Sequence, residues 1–366
     1  MTTVWEDLLL RPDRLLWERL RATDKTVVLW GTGNGADKIL AVCRAQEIPV
    51  CGVFASDGFR QGKCYQGMTV ESRQTVLDRF GRDRTVVLLS FASARPEVLE
   101  AVRAVMGEVE LLVPDVPAFG EGLFDADFVR AHREELTAAR KLLADEKSRR
   151  IFDLTVAAKL TGEPDFLFRA VSDRNTALRE LVRPGEIRTA LDLGAYTGDT
   201  VRELLDAGAA PERVYAVEPD VRTFRKLEAY AQAETRTDVI PVHAAAWDGR
   251  ETLVFSASGN RGATLNGQSP RKTVEVPGLP GDEILGSAHA DYIKFDVEGA
   301  EARAIAGLSG HIGADLPTLA VSVYHRCEDL FALPLLLRER FPGYRRFYLR
   351  RDAGLPAWDL NLYVRR

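Results

Sequence analysis

Cysteine is scarce in this sequence, with four in 366 residues: Cys43, Cys51, Cys64 and Cys327. No two of them show C-x-x-C spacing and none clusters with histidine, which argues against a zinc site of the usual kind and against a disulfide framework. They read as small buried hydrophobes in a reducing compartment. No apolar run reaches the roughly 18 residues needed to cross a bilayer. The first residues, Met1-Thr-Thr-Val-Trp-Glu-Asp-Leu, lack the basic-then-apolar pattern of a leader. A formal net charge of −5 gives no overall footprint for nucleic acid. No repeat of solenoid period is present. A cytoplasmic enzyme without a nucleic-acid or membrane partner is the expectation.

What is present is charge in an awkward place. Residues 291–301, Asp-Tyr-Ile-Lys-Phe-Asp-Val-Glu-Gly-Ala-Glu, alternate as a short strand. Tyr292, Lys294, Asp296 and Glu298 fall on one side, and Ile293, Phe295 and Val297 on the other. Strands of this apolar kind usually lie inside α/β sheets with helices over both faces. A lysine and two carboxylates there are costly to bury unless they pair or act. Gly299 then breaks the strand, and Glu301 opens a helix expected over 301–308. The charges therefore gather at the carboxyl end of a strand, where open α/β sheets place ligands.

Two alternating series surround this feature. An amphipathic helical lead-in with apolar Leu8, Leu9, Leu15, Leu16 and Leu20 precedes strand-type runs at 26–30, 50–54, 85–90 and 109–113. Helical runs at 36–46, 72–80 and 96–106 separate them, which predicts a small parallel sheet. Pro114, Pro117, Gly120 and Gly122 punctuate a linker. The charge-rich stretch 126–160 reads as one or two connecting helices. The second series places strands at 189–193, 213–217, 239–243, 292–296 and 318–324, and helices at 200–207 and 221–233. Short β-like runs at 252–255 and 273–276 lie between its third and fourth strands. A terminal hairpin is expected over 344–349 and 360–364.

Each series carries a glycine turn. Leu191-Asp-Leu-Gly-Ala-Tyr-Thr-Gly-Asp-Thr200 leads from a buried strand into a helix, whose first N–H groups are free for a ligand. About 20 residues on, the next strand ends in Glu218, an acid spaced to take the hydroxyls of a ribose. Together they point to an adenosine-type ligand. A dinucleotide fits less well, because G-x-G-x-x-G is absent here. In the first series Gly31-Thr-Gly-Asn-Gly-Ala36 fits G-x-G-x-x-A, with Asp57 about 20 residues on. It can seat a nucleotide phosphate or serve packing alone.

The second half resembles the FkbM-type methyltransferases. Ala190-Leu-Asp-Leu-Gly-Ala-Tyr-Thr-Gly-Asp-Thr200, Val217-Glu-Pro-Asp220, Ala245-Ala-Trp-Asp248, Ile293-Lys-Phe-Asp-Val-Glu-Gly-Ala-Glu301 and Val323-Tyr-His-Arg-Cys-Glu-Asp-Leu330 carry the resemblance. It implies an α/β chain ending in a class I methyltransferase fold, a seven-stranded, mostly parallel sheet with an antiparallel final strand. It also implies S-adenosylmethionine as cofactor and methylation of hydroxyl oxygens, often on sugars or glycosylated small molecules. Asp192, Gly194, Tyr196 and Gly198 would then line the methionine and ribose end. Glu218 would take the ribose, and His243 and Ala244 would pass the adenine. Relatives tend to have a serine-containing run where this chain has Ser258-Gly-Asn-Arg-Gly-Ala-Thr264. The first half resembles, more loosely, small Rossmann-like domains that bind nucleotide-sugars. On this division residues 1–24 are a helical lead-in and 25–117 a Rossmann-like nucleotide or nucleotide-sugar binding domain. Residues 118–180 are a helical connector and 181–366 the methyltransferase domain. Gly31, Gly33 and Asp57 would hold the nucleotide-sugar.

Methyl transfer from a sulfonium is an in-line displacement, and a sugar hydroxyl is a poor nucleophile that benefits from a base or a metal. His325, just beyond the fifth strand of the second series, has a suitable pKa and joins Asp296 and Glu298 as a catalytic candidate. The bland alternative is a strand-end histidine bonded to Asp329 or Glu328. For Asp296, Glu298 and Glu301, three roles stay open: holding a hard cation, bonding substrate hydroxyls, or neutralising Lys294. A metal site needs more ligands than these clearly provide, so none is assigned. Of the other histidines, His243 sits to touch adenine, and His132, His289 and His311 read as surface groups. The arginines at 326, 338, 340, 345, 346, 350 and 351 read as a solvated face or as contacts for an anionic acceptor. One rival is a non-catalytic nucleotide-sugar binding protein. A second is an NAD-dependent oxidoreductase, for which no tyrosine–lysine pair is suitably placed.

Overall fold

A computed structural model describes residues 3–56, 61–256 and 273–366. Both sheets form where the apolar runs predict strands. The first contains β1 (Thr26–Trp30), β2 (Val50–Phe54), β3 (Cys64–Tyr65), β4 (Met68–Glu71), β5 (Thr85–Leu89) and β6 (Glu110–Leu112), in the order β3-β4-β2-β1-β5-β6. All neighbours pair in parallel except β3, which closes one edge antiparallel to β4. β5 is buried along its whole length because helices cover both faces. Cys43 and Cys327 are buried as expected, but Cys51 and Cys64 are exposed. Cys51 lies at the partly solvated start of β2 and Cys64 on the edge strand.

The second sheet contains β7 (Thr189–Leu193), β8 (Arg213–Val217) and β9 (Asp238–Val242), followed by β13 (Tyr292–Phe295), β14 (Thr318–Ser322), β15 (Arg346–Arg351) and β16 (Leu360–Arg365). Three short strands, β10 (Ala245–Ala246), β11 (Glu251–Ser256) and β12 (Thr273–Leu279), make a side sheet. The main order is β15-β16-β14-β13-β7-β8-β9, and β16 alone runs antiparallel to its neighbours. This is the class I methyltransferase arrangement: a chain reversal beside central β7, and the last strand inserted between the two before it.

The connecting segment differs from expectation. It forms three helices, Ala126–Ala131, Arg133–Leu142 and Glu146–Thr161, not one or two. No glycine or proline marks the breaks. The first falls at His132, whose own conformation leaves the helical region. The second falls where Leu143 and Ala144 pair with Phe347 of β15 and Asp145 caps the next helix through Ser148 N–H. Glu146–Thr161 is buried for most of its length. Ile151, Phe152, Val156 and Leu160 enter the core of the second sheet, and Leu154, Ala157 and Ala158 enter that of the first. Its Lys159 is buried against Asp115, with the ammonium 5.2 Å from the centre of the Phe124 ring. The helix Asp329–Arg340 lies where the sequence predicts none, because Pro334 and the unbroken apolar run 330–337 hide its period.

Among the described residues, no helix is long and apolar enough to cross a membrane.

Candidate active site

The charged alternation expected over 291–301 stops sooner than the sequence suggests. β13 ends at Phe295, and Glu298 and Gly299 turn the chain with φ of 57° and 91°. Asp296 and Glu298 therefore lie beyond the sheet, not on its face. Lys294 stands in register with Asp192 of β7. Its Nζ lies 3.1 Å from Asp192 Oδ1, 3.1 Å from the Gly194 carbonyl and 3.7 Å from Asp296 Oδ2. The partner of Lys294 is thus first of all the aspartate of the neighbouring strand. Burial opposes the ammonium, but Asp192 and then Asp296 outweigh it and raise the Lys294 pKa. Burial likewise pushes Asp192 up, and its Oδ2 is a buried oxygen with no hydrogen-bond partner.

Apart from Asp192, which lies within β7, the residues expected to hold the cofactor follow the carboxyl ends of β7, β8 and β9. Gly194, at φ 80°, leaves no room for a side chain, because a Cβ would overlap the carbonyl oxygen of Asp296. At Gly198, also left-handed, a Cβ would meet the Tyr230 ring. Packing alone therefore requires both glycines. Tyr196 sits between them at φ 49°. Its N–H donates to Glu218 Oε2 at 3.0 Å, and Asp220 N–H donates to Oε1 at 2.9 Å. Glu218 is buried, which lifts its pKa to about 7 against these donors. His243 is half-buried, with Nε2 3.0 Å from the Pro219 carbonyl and its ring 4.8 Å from that of Phe224. Ala244 is fully buried beside it.

His325 is buried at the centre of an acidic cluster. Its Nδ1 is 2.9 Å from Glu301 Oε1, and its Nε2 is 3.5 Å from both Asp296 Oδ1 and Glu298 Oε2. Desolvation would lower its pKa, but Glu301, then Asp296 and Glu298, override this and raise it to about 10. A pKa raised that far favours the imidazolium at neutral pH, with Nδ1 hydrogen-bonded to Glu301 and Nε2 facing the other two carboxylates. The sequence suggests a base at this position; the three surrounding carboxylates favour the charged form of the ring. The bland expectation also shifts: the bond runs to Glu301, while Asp329 accepts the Arg326 N–H at 2.8 Å. Glu301 Oε1 accepts the Val297 N–H at 3.0 Å as well, folding back over the turn. Ligand-type atoms of Glu301, His325 and Asp329 lie within 4.8 Å of one another, with Nδ1 already bonded to Glu301.

Asp296 receives Ser322 Oγ–H at 3.0 Å and Tyr324 O–H at 3.4 Å. Burial would raise its pKa, but Lys294 and His325 outweigh burial and hold it below the usual carboxylate value. Sequence reasoning assigned no role to Ser322, Phe119 or Trp358. Phe119 donates its N–H to the His325 carbonyl at 3.0 Å and sets its ring 5.6 Å from the imidazole. Trp358 stacks on Tyr324 at 6.4 Å. Both come from loops far away in sequence, and only the tertiary fold brings them here.

Other expected residues lie elsewhere. A Cβ at Gly31 or Gly35 would run into Ser90, whereas Gly33 faces open space. Asp57 and the run 258–264 fall outside the described residues. The arginines are not one solvated face. Arg350 is buried against Asp145 and Ser148, and Arg351 against the Leu167 and Pro356 carbonyls. Arg338 and Arg345 line, with Lys141, a cavity of about 440 Å³ at the opposite edge of the second sheet. His289 is exposed, but His132 is half-buried against Phe331 and His311 half-buried against Asp282.

The strand order is that of the class I methyltransferase fold. Residues 192–345 match the methyltransferase FkbM domain. The crystal structure of methyltransferase FkbM from Methylobacillus flagellatus KT is similar over 99% of both chains, with a TM-score of 0.72 and 21% identity. Fibrillarin from Aeropyrum pernix, crystallised with S-adenosyl-L-methionine, matches 52% of this chain and 70% of its own at a TM-score of 0.33 and 16% identity. The precorrin-6y C5,15-methyltransferase from Geobacter metallireducens GS-15 matches 53% of this chain and 91% of its own, with a TM-score of 0.33 and 10% identity. No curated protein matches the chain.

Proposed function

We propose that the protein transfers the methyl group of S-adenosylmethionine to a hydroxyl oxygen of a sugar, nucleotide-sugar or glycosylated small molecule. The observation that carries this reading is the pair Asp296 and Glu298, both part-exposed beside one imidazolium at the carboxyl edge of the second sheet. The chemistry of the nearby residues fits the cofactor. Asp192 Oδ2 is a buried acceptor lacking a donor, and Glu218, just after β8, has lone pairs left for ribose hydroxyls. Asp192, Tyr196, Glu218, His243 and Ala244 would hold it, and when bound it supplies an electrophilic methyl on a sulfonium.

The chain's own residues do the rest. Asp296 accepts a hydrogen bond from the acceptor hydroxyl and then its proton, while Ser322 and Tyr324 orient the carboxylate. His325, as a cation, keeps Asp296 and Glu298 ionised and close together. Lys294 holds the opposite side of Asp296. In the first sheet, the open Gly33 is a seat for the phosphate of a nucleotide-linked acceptor.

The test is transfer of labelled methyl from S-adenosylmethionine to a panel of nucleotide-sugars and simple glycosides, with and without EDTA. A base-stable ether, formed equally in EDTA, is the expected product. His325→Ala should bind cofactor and turn over at least 100-fold more slowly, an effect on the scale of a lost catalytic group. Undiminished turnover of that variant, or methylation of nitrogen in place of oxygen, refutes the reading.

A further inference from the structure

Two half-buried rings, Tyr324 and Trp358, stack at 6.4 Å with their planes 27° apart, and the Tyr324 ring also packs on His325 at 4.2 Å. The Tyr324 hydroxyl reaches Asp296 itself. The loop that carries Trp358 is held in place. Asp352 N–H donates to the Asp359 carbonyl at 3.0 Å, and Arg351 donates to the Gly354 and Pro356 carbonyls. Leu355 and Ser93 exchange backbone hydrogen bonds of 2.9 and 3.0 Å, which ties the loop to the segment after β5 of the first sheet.

A part-exposed tryptophan ring stacked on a tyrosine that itself reaches a carboxylate suits one class of ligand. The C–H face of a pyranose packs against an aromatic face, and its hydroxyls donate to carboxylates. Asp296 and Glu298 would repel a carboxylate or phosphate on that same ring. From this we infer that Trp358 and Tyr324 form the acceptor subsite and that it takes an uncharged sugar ring, any anionic group lying outside it. The inference rests on the sugar-acceptor reading above.

The experiment measures methyl transfer to a set of methyl hexosides and the matching methyl hexuronates, for the full chain and for Trp358→Ala and Trp358→Phe. Binding of S-adenosylhomocysteine, which does not use Trp358, reports that each variant is folded. The expected result is methylation of a hexoside in preference to its uronate, a KM for the hexoside raised about tenfold in Trp358→Ala, and recovery of most of that loss in Trp358→Phe. A hexoside methylated with unchanged KM by Trp358→Ala overturns the subsite and leaves the sugar reading intact, as does preference for the uronate. Cofactor binding with no hexoside or uronate methylated overturns the sugar reading, and this subsite with it.

Discussion

His325 meets three carboxylates directly, and that changes what the residue can do. A histidine at its ordinary pKa would give a rate limb near neutrality, whereas one raised to about 10 is charged across the working range. A raised folded-state pKa contributes stability that is complete below the unfolded value of 6.5 and is lost as pH climbs through about 10. Urea titrations of wild type and His325→Gln should therefore differ most at pH 6 and converge towards pH 10. Glu218 carries the same sign for a different reason. Burial raises it to about 7, so its contribution is complete below 4.5 and fades as pH rises through 7. Ribose hydroxyls favour the ionised carboxylate, so cofactor affinity should increase from pH 6 to pH 8 with release of a proton. Calorimetry in buffers of different ionisation enthalpy checks this, and Glu218→Gln should remove the pH dependence.

At the scale of elements, the two glycine turns look alike in sequence and differ in what surrounds them. Gly194→Ala places a Cβ against the Asp296 backbone at a left-handed φ, and should cost more than about 2 kcal/mol and disturb Lys294. Gly33→Ala meets nothing within 4 Å and should shift the melting temperature little. Thermal melts of the pair decide it. Strands such as Thr189–Leu193, Arg213–Val217 and Thr26–Trp30 were legible because a covered parallel strand is a continuous apolar run between turn signals. The breaks at His132 and Leu143 were not, since tertiary pairing with Phe347 ends one helix where local propensity does not. In the site, the strand-end acids could be read from their sequence positions. The charge state of His325 could not, because it depends on Glu301 folding back over its own turn.

Across the whole molecule, the helix Glu146–Thr161 belongs to both cores at once. Two sheets that share a buried helix should unfold together, so calorimetry should give one transition and not two. Asp115→Ala would leave the Lys159 ammonium buried without its partner, and should lower stability by about 3–5 kcal/mol. Denaturant unfolding measures that loss, and a value near zero would mean that water reaches Lys159. Lys38, on the helix after the first glycine turn, donates to the Pro117 and Ala118 carbonyls at 2.8 and 2.6 Å, one residue before Phe119 reaches His325.

The reciprocal bonds between Ser93 and Leu355 bear on inheritance as well as on shape. A methyltransferase half moved into another protein without its companion sheet would take along its cofactor residues but lose the anchor of its tryptophan loop. On the subsite proposed above, such a transplant would retain the proposed donor-binding residues and lose the support of the ring that seats the acceptor. The two halves of this chain are therefore poor candidates for separate shuffling, and lineages should gain or lose them as a unit.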